Sequence, residues 1–328
     1  MLKAFCFAVL ALCALPARLL AQERYLVSYA GFGGFQAPAW AAKDFGFFTK
    51  YGLSIDLVMI PGSTRGTQAL LGGSTQFGQI DGTALITAIN QGADLVIVSA
   101  SLNKFPFSLV VQKNIAKPAD LAGKKVGIVA FGGAHEVSLV LALKEWNIPR
   151  QSVTLLASGP AANRLLALSS GAMDATLLAP PETSEAARMG LRTLAHMTDL
   201  KAAAFPMNVI ATRRSFLEKN RDVVKRFLQA YSEGTHQFIT NKQKALALYN
   251  QRLKQKDVTV VEETYKYFAS TFSFPPRVSH EGMRIAIEML AQRDPTAKLD
   301  PNVSKYVDER LLDELEREGL FKRLSEKS

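Results

Sequence analysis

Residues 69–76 read A-L-L-G-G-S-T-Q, and the pattern returns at residues 167–174 as A-L-S-S-G-A-M-D. In both copies an Ala-Leu pair is followed by a glycine three positions after the leucine. A side chain with a terminal amide or carboxylate then stands three positions after that glycine. The segments before each copy are also alike, with an apolar run, a glycine loop and a longer apolar stretch. An internal repeat of this kind indicates two structural units of the same topology.

Each unit alternates short apolar runs with longer segments whose apolar residues recur at helical spacing. Strands alternating with helices form parallel sheets that are covered on both faces. The sequence therefore predicts an α/β protein with two lobes, each built on a parallel-rich sheet flanked by helices. We predict strands at 25–29, 54–59, 77–80 and 96–100 in the first unit, at 125–129, 153–157, 175–178 and 192–195 in the second, and helices at 37–49 and 134–146.

The chain changes character after about residue 212, where charged residues become more frequent. Val224, Phe227, Leu228 and Tyr231 fall on one face of a helix, which is typical of a helix that packs on an apolar surface. We therefore predict a helical C-terminal tail that packs on the first lobe.

A tail on the first lobe requires the chain to cross between the lobes twice. We place the outward crossing at 109–112 and the return at 209–212, beside polar, turn-rich sequence. The predicted organisation is 22–112 plus 213–328 for lobe one and 113–212 for lobe two.

Residues 1–21 have the pattern of a secretory signal peptide. Lys3 precedes an apolar run that ends at Pro16, and Ala21 is a small residue at a suitable cleavage point. The run is too short to span a bilayer, so we expect cleavage and a periplasmic location. An uncleaved anchor and lipidation at Cys13 remain open alternatives. Cys6 and Cys13 are the only cysteines, so the mature chain would have no disulfide and no thiolate chemistry.

The composition fits a globular protein, with 48% hydrophobic and 21% charged residues among 328. The formal charge of +10 comes without a basic run or a nucleic-acid motif, so we expect no nucleic-acid partner. Enzyme motifs also fail individually. Gln36 stands where a dinucleotide loop needs its third glycine, Leu139 replaces the second histidine of a zinc-protease helix, and Ser63 is one position out of register for a nucleophile elbow.

We therefore predict no catalytic residues, no metal site and no cofactor. A serine-histidine-acid triad assembled in space stays open, because four scattered histidines do not exclude one.

Six loops rich in small residues follow predicted strands and open predicted helices. In open α/β sheets the ligand crevice lies at the carboxyl ends of the strands, where helix N-termini offer free N–H donors. Each loop alone could be an ordinary turn, but together they predict one cleft between the lobes. The loops are 31–36, 61–65 and 81–83 in lobe one, and 131–135, 158–161 and 179–182 in lobe two.

At these segments the chain resembles the periplasmic solute-binding proteins of ABC importers. It is most similar to the family that binds aliphatic sulphonates, taurine, nitrate and thiamine precursors. The segments that carry the likeness are APAWAAKDFGFFTKYGL at 37–53, QAL at 68–70, NQGAD at 90–94, LAGKKVG at 121–127, GAMDA at 171–175 and the prolines at 180 and 181.

The resemblance implies a type II periplasmic-binding-protein fold with two crossovers and a helical C-terminal tail. It also implies a monomeric subunit that closes on a small-molecule ligand and docks on an ABC permease in the inner membrane. By position, it assigns ligand contacts to Gln36, Ser63, Thr64, Asp81 and Thr83 from lobe one, and to Phe131, Gly132, Gly133, His135, Pro181, Glu182 and Asn208 from lobe two.

Asp81 and Glu182 bring negative charge to the predicted cleft, and Arg65 is the one nearby cation that the sequence suggests. We therefore expect a neutral or mixed-charge organic ligand rather than an inorganic anion or a sulphonate. Phe32, Phe35, Trp40 and Phe131 are available to stack on it, although Trp40 is also a candidate for the core.

Two other functions remain open. An exported ligand sensor would use the same fold, and the sequence does not separate it from a transport subunit. A pyrimidine-synthesising branch of the same superfamily is enzymatic, but it relies on a cysteine-rich segment that the mature chain lacks.

Overall fold

The computed structural model describes residues 23–326. The predicted signal peptide and both cysteines therefore lie outside the described residues. The described chain forms two sheets of like topology, as the repeat predicts, and each sheet has five strands where four were predicted. The strands are β1 (Arg24–Tyr29), β2 (Ser54–Met59), β3 (Phe77–Ile80), β4 (Val96–Lys104), β5 (Ser108–Val111), β6 (Lys125–Ile128), β7 (Thr154–Ala157), β8 (Ala175–Leu178), β9 (Arg192–His196) and β10 (Ala204–Thr212).

The two sheets have the same plan. The first has the order β2-β1-β3-β10-β4, and the second has the order β7-β6-β8-β5-β9. In each, the first three strands of that order are parallel, and the fourth runs antiparallel to its neighbours. Central strands such as β3, β5 and β8 are buried along their whole length, which explains why their sequences are mainly apolar and contain no charged residue. The predicted α/β fold with parallel-rich sheets is confirmed.

The lobe boundaries differ from the predicted ones at both crossings. β5 pairs with β8 and β9, so the chain has already entered the second sheet before residue 112. β10 pairs with β3 and β4, so the chain is back in the first sheet before residue 209. The crossings are the segments 105–107 and 197–203. Because Phe105 and Phe107 are as buried as strand residues, their sequence does not mark a crossing.

Helices cover both sheets. Their bounds are α1 (Ala37–Asp44), α2 (Phe47–Lys50), α3 (Ser63–Leu71), α4 (Gly82–Asn90), α5 (Ala134–Glu145), α6 (Ala161–Ser169), α7 (Glu182–Arg188), α8 (Arg214–Lys219), α9 (Arg221–Thr240), α10 (Lys242–Leu253), α11 (Val258–Thr271), α12 (His280–Arg293), α13 (Arg310–Arg317) and α14 (Leu320–Ser325). The single helix predicted at 37–49 is divided into α1 and α2, because Gly46 has a φ of 80° and ends the regular helix.

The tail packs mainly on the first sheet and its helices. The twenty-residue helix α9 lies along α1 and α2, and α12 packs against β10 and α4. The approach of α9 to α1 is so close that a Cβ at Gly234 would lie 2.6 Å from the Ala42 backbone nitrogen. A glycine at this point in α9 therefore lets the two helix backbones come into contact.

Among residues 23–326, no helix combines the length and the apolar character needed to cross a membrane. The same residues contain no cluster of histidine and acidic side chains that could hold a metal ion.

Candidate ligand cavity between the lobes

A cavity of about 800 Å³ lies between the two sheets, at the carboxyl ends of their parallel strands. Its walls come from the loops after β1, β2 and β3 on one side and after β6, β7 and β8 on the other. This volume is in the usual range for a small-molecule site. The six predicted loops therefore meet at one place.

Nine of the twelve predicted site residues line this cavity. They are Gln36, Ser63, Thr64, Asp81, Phe131, Gly133, His135, Glu182 and Asn208. Thr83, Gly132 and Pro181 do not line it, although each lies beside a residue that does. Thr83 bonds to Asp81, Gly132 precedes Gly133, and Pro181 forms the N-cap of α7. Asn208 belongs to the first sheet, because it lies in β10, and its prediction as a lobe-two residue is wrong.

Asp81 connects the two lobes through hydrogen bonds. It is the N-cap of α4, where its Oδ1 accepts from the Thr83 backbone N–H at 3.0 Å and from the Thr83 hydroxyl. Its Oδ2 accepts from the Ser63 hydroxyl, and the backbone N–H of Ala134 donates to the carboxylate from the start of α5. Burial raises the pKa of Asp81, while these donors act in the opposite direction. One carboxylate thus serves two helix N-termini in different lobes.

His135 occupies a position at the start of α5, beside that contact. Its ring stacks on Phe107, which lies in the first crossing, with ring centroids 4.1 Å apart. Burial lowers the pKa of His135 well below its ordinary value, and the positive charge of Arg164 lowers it further. The imidazole is therefore neutral at physiological pH, and it links the second lobe to the crossing segment.

Arg164 is a buried cation in the cavity wall that the sequence analysis did not identify. It is 2% exposed, and its guanidinium donates to the Gly159 carbonyl at 3.0 Å, to the Thr176 hydroxyl at 3.0 Å and to the Leu177 carbonyl. Its Nη2 lies 3.5 Å from His135 Nε2. Burial lowers the pKa of Arg164 to about 10, so the group remains charged. The expectation that Arg65 is the one nearby cation is therefore wrong.

Arg164 was missed because it lies one turn inside α6, and a basic residue there reads as part of an exposed helix face. The site prediction relied on the glycine-containing loops, which precede the helices, so it did not include residues inside α6. A lone arginine in the mainly apolar stretch between Ala161 and Leu168 is the pattern that could have indicated a buried Arg164.

Glu182 provides a carboxylate directly on the cavity wall. Burial raises the pKa of Glu182 to about 7, and the nearby charge of Glu185 adds to this effect. Its own backbone N–H and the charge of Arg164 act in the opposite direction. The side chain therefore changes its protonation near neutral pH, in the place where a ligand would lie.

Aromatic side chains stand around the cavity, as predicted, with one exception. Phe32 and Phe131 line it while remaining 52% and 56% exposed, and Phe35 lines it from the loop after β1. Trp40 is completely buried and packs edge-on against Tyr29, with ring centroids 5.8 Å apart. Trp40 is therefore a core residue.

A buried amide network supports the cavity floor. Gln36 Oε1 accepts from Gln79 Nε2 at 2.6 Å, and the Tyr231 hydroxyl donates to Gln79 Oε1 at 2.9 Å. Asn208 Nδ2 donates to the Phe35 carbonyl at 2.7 Å. Because Gln36 Oε1 and Asn208 Nδ2 bond to the protein itself, these two side chains help to shape the floor.

Polar contacts outside the cavity also join the two lobes. Arg188 on α7 pairs with Asp257 at 2.7 Å, and the Ser184 hydroxyl donates to Glu263 at 2.7 Å. The Gly34 N–H lies 3.4 Å from the Pro180 carbonyl at the cavity edge. In this structure the two lobes are therefore in contact with each other around the cavity.

Among residues 23–326, those that line the cavity do not bring a nucleophile together with a base. The Ser63 hydroxyl bonds to a carboxylate without an intervening histidine, and His135 is stacked against Phe107. A serine-histidine contact does occur elsewhere, since Ser108 Oγ lies 2.9 Å from His196 Nδ1. His196 does not line the cavity. What the cavity residues offer is hydrogen bonding, charge and aromatic surface, which suits binding.

The chain is similar to known proteins both in sequence and in fold. The family model described as NMT1/THI5-like matches residues 36–245. The taurine-binding periplasmic protein of Escherichia coli (strain K12) is 28% identical over 207 residues, which cover 62% of this chain. The match spans 64% of that relative's length.

Solved structures share the fold over most of the chain. A protein of Bordetella bronchiseptica RB50 superposes with a TM-score of 0.79 at 18% identity, covering 90% of this chain and 98% of that one. The periplasmic aliphatic sulphonate binding protein SsuA from Escherichia coli has a TM-score of 0.69 at 24% identity, covering 88% of this chain and 91% of that one. At these identities the likeness establishes the fold.

Proposed function

The chain belongs to the NMT1/THI5-like family, and from that premise we propose that it is the extracytoplasmic solute-binding subunit of an ABC importer. It captures a small organic molecule between its lobes and delivers it to a permease in the inner membrane. The observation that carries this proposal is the 800 Å³ cavity, whose walls come from equivalent loops of both lobes.

The arrangement of the lobes suits capture and release. They are joined by two crossing segments, and polar contacts such as Arg188 with Asp257 and Ser184 with Glu263 lie between them near the surface. A ligand that touches both walls would add contacts in the closed form alone, so it would shift the population toward closure. A permease can then distinguish the closed form from the open one.

Export and a non-catalytic role belong to the same proposal. The N-terminal pattern at residues 1–21 supports export to the periplasm, and the cavity chemistry supports binding without turnover. The taurine-binding relative supports a small solute as the cargo. We propose that the protein acts as a monomer with no cofactor.

The test begins with the compounds that the purified protein releases on denaturation, identified by mass spectrometry. The identified compound should raise the melting temperature, with about 2.7 kcal/mol of stabilisation at a hundredfold excess over its dissociation constant. It should be recovered chemically unchanged after long incubation, and conversion of the compound would refute the binding role.

Transport is tested in cells. Deletion of the gene should lower uptake of the labelled compound, and the intact gene should restore it. Normal uptake in the deletion strain would refute an importer subunit and favour an exported sensor.

A further inference from the structure

The two helices that begin at the centre of the cavity, α4 and α5, point their N-termini toward the same spot. Free N–H groups and partial positive charge make a helix N-terminus a favourable binding site for an oxyanion. In this chain the Asp81 carboxylate occupies that binding site, with the Thr83 N–H at 3.0 Å and the Ala134 N–H as donors. A Cβ placed on Gly133 would lie only 3.9 Å from Asp81 Oδ2. The protein itself therefore provides the anion at this position.

Two neighbouring N–H donors are also occupied by the chain. The Asp81 N–H donates to the Ser63 hydroxyl at 3.0 Å, and the Gly132 N–H donates to Glu136 Oε2 at 2.6 Å. An oxyanion entering between α4 and α5 would have to displace one of these carboxylates or lie beside it. Either case costs electrostatic energy, because two negative charges would lie close together or a paired carboxylate would lose its donors.

Glu182 is an acceptor that faces the cavity. Within the described chain, the donor that reaches its side chain is its own backbone N–H. Arg164 is near, but its Nε and Nη1 donate to Gly159, Thr176 and Leu177, and its Nη2 lies 3.5 Å from His135 Nε2. A desolvated carboxylate with free lone pairs is stabilised by a donor group, and most strongly by a charged one.

The aromatic lining of the cavity favours the same class of ligand. Phe32, Phe35 and Phe131 line the cavity, and aromatic faces attract cations. A carboxylate in a cavity lined by aromatic rings therefore matches a cation carried on an organic body.

We infer that the ligand presents a cationic nitrogen, as in an amine or an amidine, to the Glu182 carboxylate and brings no oxyanion to the N-termini of α4 and α5. This inference rests on the proposed solute-binding function. Glu182 is then the residue that determines specificity, and Asp81 excludes oxyanions.

The test uses benzylamine, benzyl alcohol and benzoate, which share a ring and differ in one group. Isothermal titration calorimetry should show that wild type binds benzylamine at least about tenfold more tightly than the other two. Glu182→Gln should remove this preference. Glu185→Gln is the matched control, because Glu185 lies on the same helix but bonds to Gln255 at 2.8 Å outside the cavity, and it should keep the preference.

Equal or tighter binding of benzoate, an unchanged preference in Glu182→Gln, or no detectable binding of benzylamine would overturn the inference. Tight binding of methanesulfonate or nitrate by wild type would also overturn it, while leaving the solute-binding function intact. Chemical conversion of a bound probe would overturn both.

Discussion

Glu182→Gln should change how the stability of the protein depends on pH. The folded protein holds the pKa of Glu182 at about 7, above the ordinary value of 4.5, because burial disfavours the charged form. A raised carboxyl pKa means that the folded state binds the proton more tightly than the unfolded state. The contribution to stability is therefore present below the unfolded pKa and is lost as the pH rises toward the folded one.

The size of the effect follows from the shift. Each pKa unit corresponds to about 1.4 kcal/mol, so the full shift corresponds to about 3 kcal/mol. Because part of the Glu182 side chain faces the cavity, solvent screens some of this penalty, and we expect about 1–3 kcal/mol. Glutamine keeps the shape and removes the charge. The variant should therefore equal wild type near about pH 4 and be more stable by that amount near about pH 8.

Urea unfolding at a series of pH values measures this difference directly. Wild type should lose unfolding free energy between about pH 4.5 and about pH 7 relative to Glu182→Gln, and the curves should run parallel above that interval. Glu185→Gln removes a carboxylate from the same helix whose charge is a smaller cause of the raised pKa of Glu182, so this variant should retain most of the wild-type slope. A Glu182→Gln curve that stays parallel to wild type throughout, or that falls below it at high pH, would refute the burial of a charge at this site.

Three further changes test the packing and the cavity. Gly133→Leu should abolish binding of the co-purified compound in a thermal-shift assay, because the new side chain enters the space between the lobes, while the unfolding free energy should stay at the wild-type value. Gly133→Ala is the control and should retain binding. Binding by the leucine variant would show that the ligand lies elsewhere. Gly234→Ala should lower the urea-unfolding free energy by about 1–3 kcal/mol, because its Cβ would collide with the Ala42 backbone, and an unchanged midpoint would contradict this packing. Phe131→Ala should weaken benzylamine binding in calorimetry. Because the Phe131 ring is 56% exposed, the unfolding free energy should change by less than about 0.5 kcal/mol. Equal affinity of the variant and wild type for benzylamine would show that Phe131 is not part of the site.

The local sequence determined most of the secondary structure. β2, β3 and β8 begin and end at the residues predicted for them, because short, mainly apolar runs bounded by turn-forming residues indicate strands. The repeat at 69–76 and 167–174 determined that two lobes share one topology, since the same pattern of side chains folds in the same way twice. The loops of the cavity could also be predicted, because glycines and prolines mark the turns between strands and helices.

Tertiary structure alone decided where the chain crosses between lobes. A strand buried on both faces has the same apolar sequence whichever sheet it joins, so neither β5 nor β10 shows its partner in its own residues. Long-range pairing makes that choice. For this reason Asn208 was assigned to the wrong lobe, although its presence at the cavity was predicted.

The charges of the cavity also depend on residues that are distant in sequence. Arg164 becomes a cavity residue because Gly159, Thr176 and Leu177 converge on its guanidinium, and Asp81 joins the lobes because α5 brings Ala134 to it. A carboxylate in a loop looks the same in sequence whether it is hydrated, caps one helix or caps two. Burial and distance distinguish these cases, and both arise only when the two lobes are packed together.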